Sequence, residues 1–118
     1  MTLGDHLRKV RLDKGLSQPQ TADSLLVSVS AVRSWEANRF QPEVRHVPRI
    51  LGFLGYNPLP NGPGWPERLY QARAQLGLTQ EQMAKQLGVG HFSYQSWERD
   101  IRQPSEKMRA LLEQNEQG

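Results

Sequence analysis

The chain has no cysteine, which excludes a disulfide framework and any thiolate metal site. Its three histidines, His6, His46 and His91, lie far apart, and no pair has ligand spacing. No apolar run approaches the ~20 residues needed to cross a bilayer. The opening Met1-Thr-Leu-Gly-Asp5 lacks the basic and then apolar regions of a signal peptide. No nucleophile–base pair, metal cluster or Gly-rich phosphate loop is present, so no enzyme is expected, and no cofactor. Strand signals are missing throughout, and so is an aromatic platform on a sheet of the kind that binds RNA. No small-molecule pocket is legible. What these absences leave is an all-α protein expected to be soluble and intracellular.

What is there is a repeat. Arg11-Leu-Asp-Lys-Gly15-Leu16-Ser17-Gln18 recurs as Arg73-Ala-Gln-Leu-Gly77-Leu78-Thr79-Gln80, Ser34-Trp35-Glu36 as Ser96-Trp97-Glu98, and Gln41-Pro42 as Gln103-Pro104. Every match falls at one offset of 62 residues without a gap, and 14 of the 36 positions from Leu7 to Pro42 are identical in the second copy. Self-similarity at a fixed period means repeated structural units. The expected organisation is a first module at 1–55, a linker at 56–65 and a second module at 66–118. Three prolines and two glycines in Tyr56–Trp65 exclude helix and central strand there and make the linker semi-rigid. At roughly 55 residues each module is near the lower limit of independent stability. The net charge of +3 is uneven: eight bases face five acids in residues 1–55, and seven face seven in residues 56–118. A solvated surface explains that total about as well as a polyanion partner does.

Caps and periodicity divide each module into four helices. Thr2 with Asp5 has the form of a capping box, and Leu3, Leu7, Val10 and Lys14 follow at the spacing of one buried stripe over about 3–14. Gly15 stops that helix. Ser17 boxed with Gln20 opens a second helix to about Leu25, with Pro19 in its first turn, where a missing N–H costs little. Ser28 caps a third helix through Ala37. A fourth is expected from about Val47-Pro48, with Ile50, Leu51, Phe53 and Leu54 apolar and Gly55 as its stop. That apolar group, with Tyr56, Leu59 and Trp65, is either a surface between the modules or ordinary core of the first. The second module has the same plan: about 66–76, 80–87, 91–100 and 106–113, with a polar tail, Gln114–Gly118, expected to fray.

Two short helices joined by a tight turn and braced by a third are a helix-turn-helix. Gly-Leu-Ser/Thr-Gln, the mid-helix Ala, Leu-x-Val at the turn and Trp-Glu closing the third helix resemble the lambda-repressor/Cro-like (XRE-type) helix-turn-helix family. The second copy, Gly77-Leu-Thr-Gln-Glu-Gln-Met-Ala-Lys-Gln-Leu-Gly-Val89, is close to the family pattern. The first departs from it, with Leu26 in place of the turn glycine and Pro19 inside the second helix. The resemblance implies two tandem four-helix modules that put their third helices in the major groove of double-stranded DNA. It implies phosphate contacts from Gln18 and Gln80. It puts Ser28, Val29 and Ser30, and Gly90, His91 and Phe92, at the first turn of each reading helix. It puts Ser34 and Ser96 one turn on, beside Arg33 and Gln95. Asn38 and Arg39, with Asp100 and Arg102, match the stretch that often lies on phosphates. Arg11 with Glu36, and Arg73 with Glu98, match a structural ion pair.

Each has a plainer alternative: Gln18 and Gln80 as caps or solvated amides, Ser28 as a cap, Val29 as surface apolar, and His91 with Phe92 as a face turned to protein. Trp35 and Trp97 are expected in the core. The resemblance implies a sequence-specific transcriptional regulator, a repressor or autoregulator, located on the nucleoid in a bacterial or phage context. The other reading is a protein-interaction module of the same fold, such as an antitoxin or scaffold. A homodimer remains open. One chain is also expected to act as a built-in pseudo-dimer.

Overall fold

The computed structural model describes residues 1–117, in which every regular element is a helix. The chain divides into two compact units, Met1–Leu59 and Pro60–Gly118. The first holds α1 (Leu3–Asp13), α2 (Gln18–Leu25), α3 (Val29–Glu36), a 3₁₀ turn (Val44–His46) and α4 (Val47–Leu54). The second holds α5 (Trp65–Leu76), α6 (Gln80–Leu87), α7 (His91–Glu98) and α8 (Glu106–Gln117).

Local chemistry sets the starts and stops. Thr2 Oγ1 accepts from the Asp5 amide at 3.1 Å, while Asp5 Oδ2 accepts from the Thr2 amide at 3.0 Å. Ser17 with Gln20 and Thr79 with Gln82 close the same reciprocal box on α2 and α6. Ser28 Oγ caps α3 by accepting from the Ala31 amide at 3.1 Å, whereas Gly90 offers α7 no side-chain cap. Both Pro19 and Pro48 fall in first turns, where they cost no intrahelical bond. The expected helices at 3–14, 66–76 and 91–100 shift by one or two residues at their ends. The larger differences are the 3₁₀ turn, too short to leave a periodic signal, and α8, which continues through the tail to Gln117. Gly118, the last residue of that tail, lies outside the described residues.

In the first unit α1 packs on α3 and α4, and α2 does the same. Leu7, Ala22, Leu25, Val32, Trp35, Ile50 and Leu54 form its core. Ile50 and Leu54 are thus interior residues of the first unit. Lys14 is no part of the buried stripe; its Nζ donates to the Phe53 carbonyl at 2.9 Å and sits 4.2 Å above the Phe53 ring. The second core is Leu69, Met83, Ala84, Tyr94, Trp97 and Leu112. Leu7 and Leu69, Ala22 and Ala84, Trp35 and Trp97, and Ile50 and Leu112 are repeat partners, so one scaffold is filled twice. The filling differs where Thr21 and Val32 give way to Met83 and Tyr94. Gly4 marks a close helix approach in the first unit: a Cβ there would stand 1.8 Å from the Trp35 carbonyl oxygen.

The turn of each helix pair ends on a left-handed residue. In the second unit this is Gly88, φ 72°; in the first it is Leu26, φ 58°, a residue 68% exposed. The bonding is otherwise the same: amides 26 and 27 donate to carbonyls 23 and 22, and amides 88 and 89 to carbonyls 85 and 84. A side chain in this conformation costs about 1–2 kcal/mol, and glycine's extra chain entropy returns part of that. Leu26→Gly should therefore stabilise the first unit by about 1 kcal/mol and raise its melting temperature by several degrees. A thermal melt followed by circular dichroism checks this; a lower melting temperature would show that the exposed leucine supplies packing the turn needs.

Candidate nucleic-acid interface

α3 buries one edge, Val32, Trp35 and Glu36, and leaves Ser30 and Arg33 exposed on the other. α7 repeats this, burying Tyr94 and Trp97 and exposing His91 and Phe92. The angle of each helix is fixed by one buried ion pair. Arg11 Nε and Nη2 donate to Glu36 Oε2 and Oε1 at 2.7 and 2.9 Å, and Nη1 donates to the Leu16 carbonyl at 2.9 Å. In the second unit Arg73 donates to Glu98 at 2.8 and 3.1 Å and to the Leu78 carbonyl at 3.1 Å. One guanidinium thus ties the first helix, the loop before the second and the end of the third. Forked two-point pairing is the strong form of this bond.

Gln18 and Gln80 join the same clamp. Gln18 Nε2 donates to Glu36 Oε1 at 3.3 Å and Gln80 Nε2 to Glu98 Oε1 at 3.1 Å. In the first unit Arg33 Nε also donates to Gln18 Oε1 at 3.4 Å, which chains an exposed cation to the buried carboxylate. A shallow concavity opens there, lined by Arg8, Gln18, Pro19 and Arg33. Arg8 was not singled out from the sequence, although its place three residues before Arg11 on α1 was the available signal. The residue at its place in the second unit is Tyr70, whose ring lies 5.2 Å from the Arg73 guanidinium. The basic concavity therefore belongs to the first unit.

The remaining expected site residues divide into engaged and open. Ser28 is a cap, and Val29 is half-buried against the first core. Asn38, at φ 58°, accepts from Thr2 Oγ1 at 2.6 Å and donates to Asp5 Oδ1 at 2.9 Å, so its side chain is tied to the start of α1. That amide, with the Thr2 backbone, holds the Asp5 carboxyl below its ordinary range. Ser34 is half-buried, and its carbonyl accepts from the Arg39 amide at 2.9 Å, leaving the Arg39 side chain exposed. Ser96 Oγ donates to the Ser93 carbonyl at 2.7 Å. Gln95 is half-buried; Gly90, His91, Phe92, Asp100 and Arg102 are exposed. Asp100, at φ 61°, turns the chain after α7 as Asn38 does after α3.

Burial pushes the Glu98 carboxyl up, but the Arg73 guanidinium, the Tyr94 hydroxyl and the Gln80 amide outweigh it and hold that pKa below the usual glutamate range. Burial above all drives the Tyr94 hydroxyl far upward, so it stays protonated. Among the described residues no group of three His, Asp or Glu side chains could hold a metal ion, and no helix is long and apolar enough to cross a membrane.

Comparison with known families finds the helix-turn-helix model matching the chain twice, over residues 7–60 and 69–113. No curated protein and no solved structure matches.

Proposed function

Because the chain belongs to the XRE-type helix-turn-helix family of DNA-binding regulators and carries its module in two tandem copies, we propose that it is a sequence-specific transcriptional repressor that reads duplex DNA with α3 and α7. Members of this family are typically not enzymes. The observation that carries the reading is the outer edge of α3. Arg33 stands there beside Ser30, anchored through Gln18 to the buried clamp and next to Arg8. A guanidinium held in this way can grip a guanine edge with two hydrogen bonds. Arg8, Arg39 and Gln18 then serve the backbone phosphates, which position the reader without specifying sequence. Gel retardation on the DNA upstream of the chain's own gene, against random duplex, is the test. Sequence-selective retention supports the reading, and its absence removes it.

Salt supplies a second check. Each neutralised phosphate contributes about 0.9 to the slope of log affinity against log salt. We expect strong salt dependence, with the slope reduced by about 0.9 in Arg39→Ala. Affinity indifferent to salt would be incompatible with a phosphate-tracking mode.

The two readers should also be unequal. Arg8, Arg33 and Arg39 of the first unit are replaced at the repeat positions by Tyr70, Gln95 and Ile101. The pair Arg33→Ala with Ser30→Ala should weaken specific binding about tenfold or more, since a good two-point base contact is worth about 1–3 kcal/mol. Gln95→Ala with Ser96→Ala should cost less, because Ser96 already spends its hydroxyl on its own helix. The reverse order in a titration would make the second unit the main reader.

One observation favours the reading as a protein-interaction module. In the first unit, exposed Leu26 and Phe40 flank a groove over Val27, Ala31 and Trp35. Exposed apolar patches of this kind mark contact surfaces. Unchanged DNA retention by a Leu26→Ser, Phe40→Ser chain separates that surface from the DNA-reading one.

A further inference from the structure

The first turn of α7 holds a large apolar ring in water. Phe92 is 88% exposed, while Tyr94 and Trp97 on the opposite edge are buried. A lone exposed apolar residue is ordinary on a protein surface. Its place is what matters, because the same position in α3 is Ser30.

Counting along α7, Phe92 shares one stripe with Gln95, Ser96 and Arg99 at the spacing of helix neighbours. The stripe is apolar at its head, polar in the middle and cationic at its foot. It carries no acid, since Glu98 is turned to Arg73 at 2.8 Å. That order suits a helix entering the major groove first turn foremost, with its foot near a phosphate. It suits an apolar protein pocket less well, because the polar and cationic parts would lose water without a partner. At the head, Gly90 has no side chain and the exposed His91 can address only hydrogen-bonding groups of a base, which leaves apolar contact to Phe92; one turn on, the Ser96 hydroxyl is bonded to the Ser93 carbonyl at 2.7 Å. Base edges in the major groove present donors and acceptors, and their one apolar feature is the C5 methyl of thymine.

Resting on the DNA-reading function proposed above, we infer that Phe92 is a specificity-determining residue whose ring packs on a thymine methyl, making the half-site read by the second unit thymine-selective.

The test begins with selection from a random duplex pool by the full chain and by the full chain carrying Phe92→Ser. The parent should enrich thymine at a fixed position within one half-site, and the variant should lose that preference alone. Deoxyuridine is then placed at this position in the selected duplex, which removes only the methyl. The parent should bind the uracil duplex about fourfold more weakly, the factor that burying one methyl-sized group supplies. Phe92→Ser should bind both alike. Equal binding of the thymine and uracil duplexes by a parent that still selects a sequence overturns this inference and leaves DNA reading intact. A parent that enriches no sequence overturns DNA reading and this inference together. Unchanged selection by Phe92→Ser, with loss of self-association in sedimentation, assigns the ring to contact between protein chains and overturns the inference alone.

Discussion

Glu36→Ala should cost the first unit about 3–5 kcal/mol, because it strands the Arg11 guanidinium in the interior. The Glu36 side chain is 4% exposed and that of Arg11 12%, so water cannot replace the lost partner. A unit of this size holds roughly 3–9 kcal/mol in all. The substitution should therefore remove most of its stability, and hydrogen exchange should show lost protection across α1 to α4. Replacing both partners, Arg11→Met with Glu36→Met, should cost less than Glu36→Ala alone, since no buried charge is then left unpaired. A Glu36→Ala chain with normal protection but no DNA affinity would make Glu36 a reading residue and refute the structural assignment.

The second clamp adds a pH dependence. The Glu98 carboxyl is held below the ordinary glutamate range in the folded protein. A group with a depressed folded pKa contributes stability that is present above its unfolded pKa and lost as pH falls through the folded one. The second unit should thus lose stability as pH drops below the ordinary glutamate value of about 4.3. Glu98→Gln should flatten that part of the profile while lowering stability at neutral pH.

The clamp residues were legible only through the family resemblance, in which Arg11 with Glu36 and Arg73 with Glu98 match a structural ion pair; the repeat offset shows that the second pair copies the first. The caps were legible for a simpler reason: Ser17 with Gln20 and Thr79 with Gln82 are local signals that depend on nothing distant. The left-handed turns were half legible. Gly88 announces its conformation; Leu26 adopts it without the residue type that would reveal it, and only alignment with Gly88 points there. Gly4 was not legible, because its role is set by the Trp35 carbonyl of another helix. The same holds for Asn38, whose side chain closes on Asp5 and Thr2 across 33 and 36 residues of sequence. Gln18 could be read as a phosphate contact or a cap, but its bridge from Glu36 to Arg33 follows only from how α2 crosses α3. The extent of α8 was missed because a polar tail carries no apolar period, although polar residues such as Glu and Gln are adequate helix formers.

One chain should protect about two turns of DNA and fill both halves of its site. Modules of this type reach two half-sites about 34–36 Å apart when two copies are joined by dimerisation; here the second copy is already attached. Ten residues, Gly55 to Gly64, run between α4 and α5, and fully extended they would span roughly 33–36 Å. Part of that length is held: the Tyr56 hydroxyl lies 2.8 Å from His6 Nδ1, and Leu59 is buried. Prolines stiffen the rest, so on the proposed function the second reader should stay at high local concentration once the first has bound. Linked weak readers commonly gain 10²–10⁴ in affinity over either alone, roughly speaking. Disabling one reader by repulsion, Ser30→Glu with Arg33→Glu in the full chain, should therefore cost a factor in that range rather than a factor of two. Because Val29-Ser30 and His91-Phe92 present different surfaces, the two halves of the site should differ in sequence, unlike a palindrome. Footprinting at one chain per duplex, with stoichiometry fixed by titration, decides the matter. A tract of two turns with unlike halves is the expected result, and protection of one half-site per chain, with a second chain needed for the rest, would defeat the pseudo-dimer.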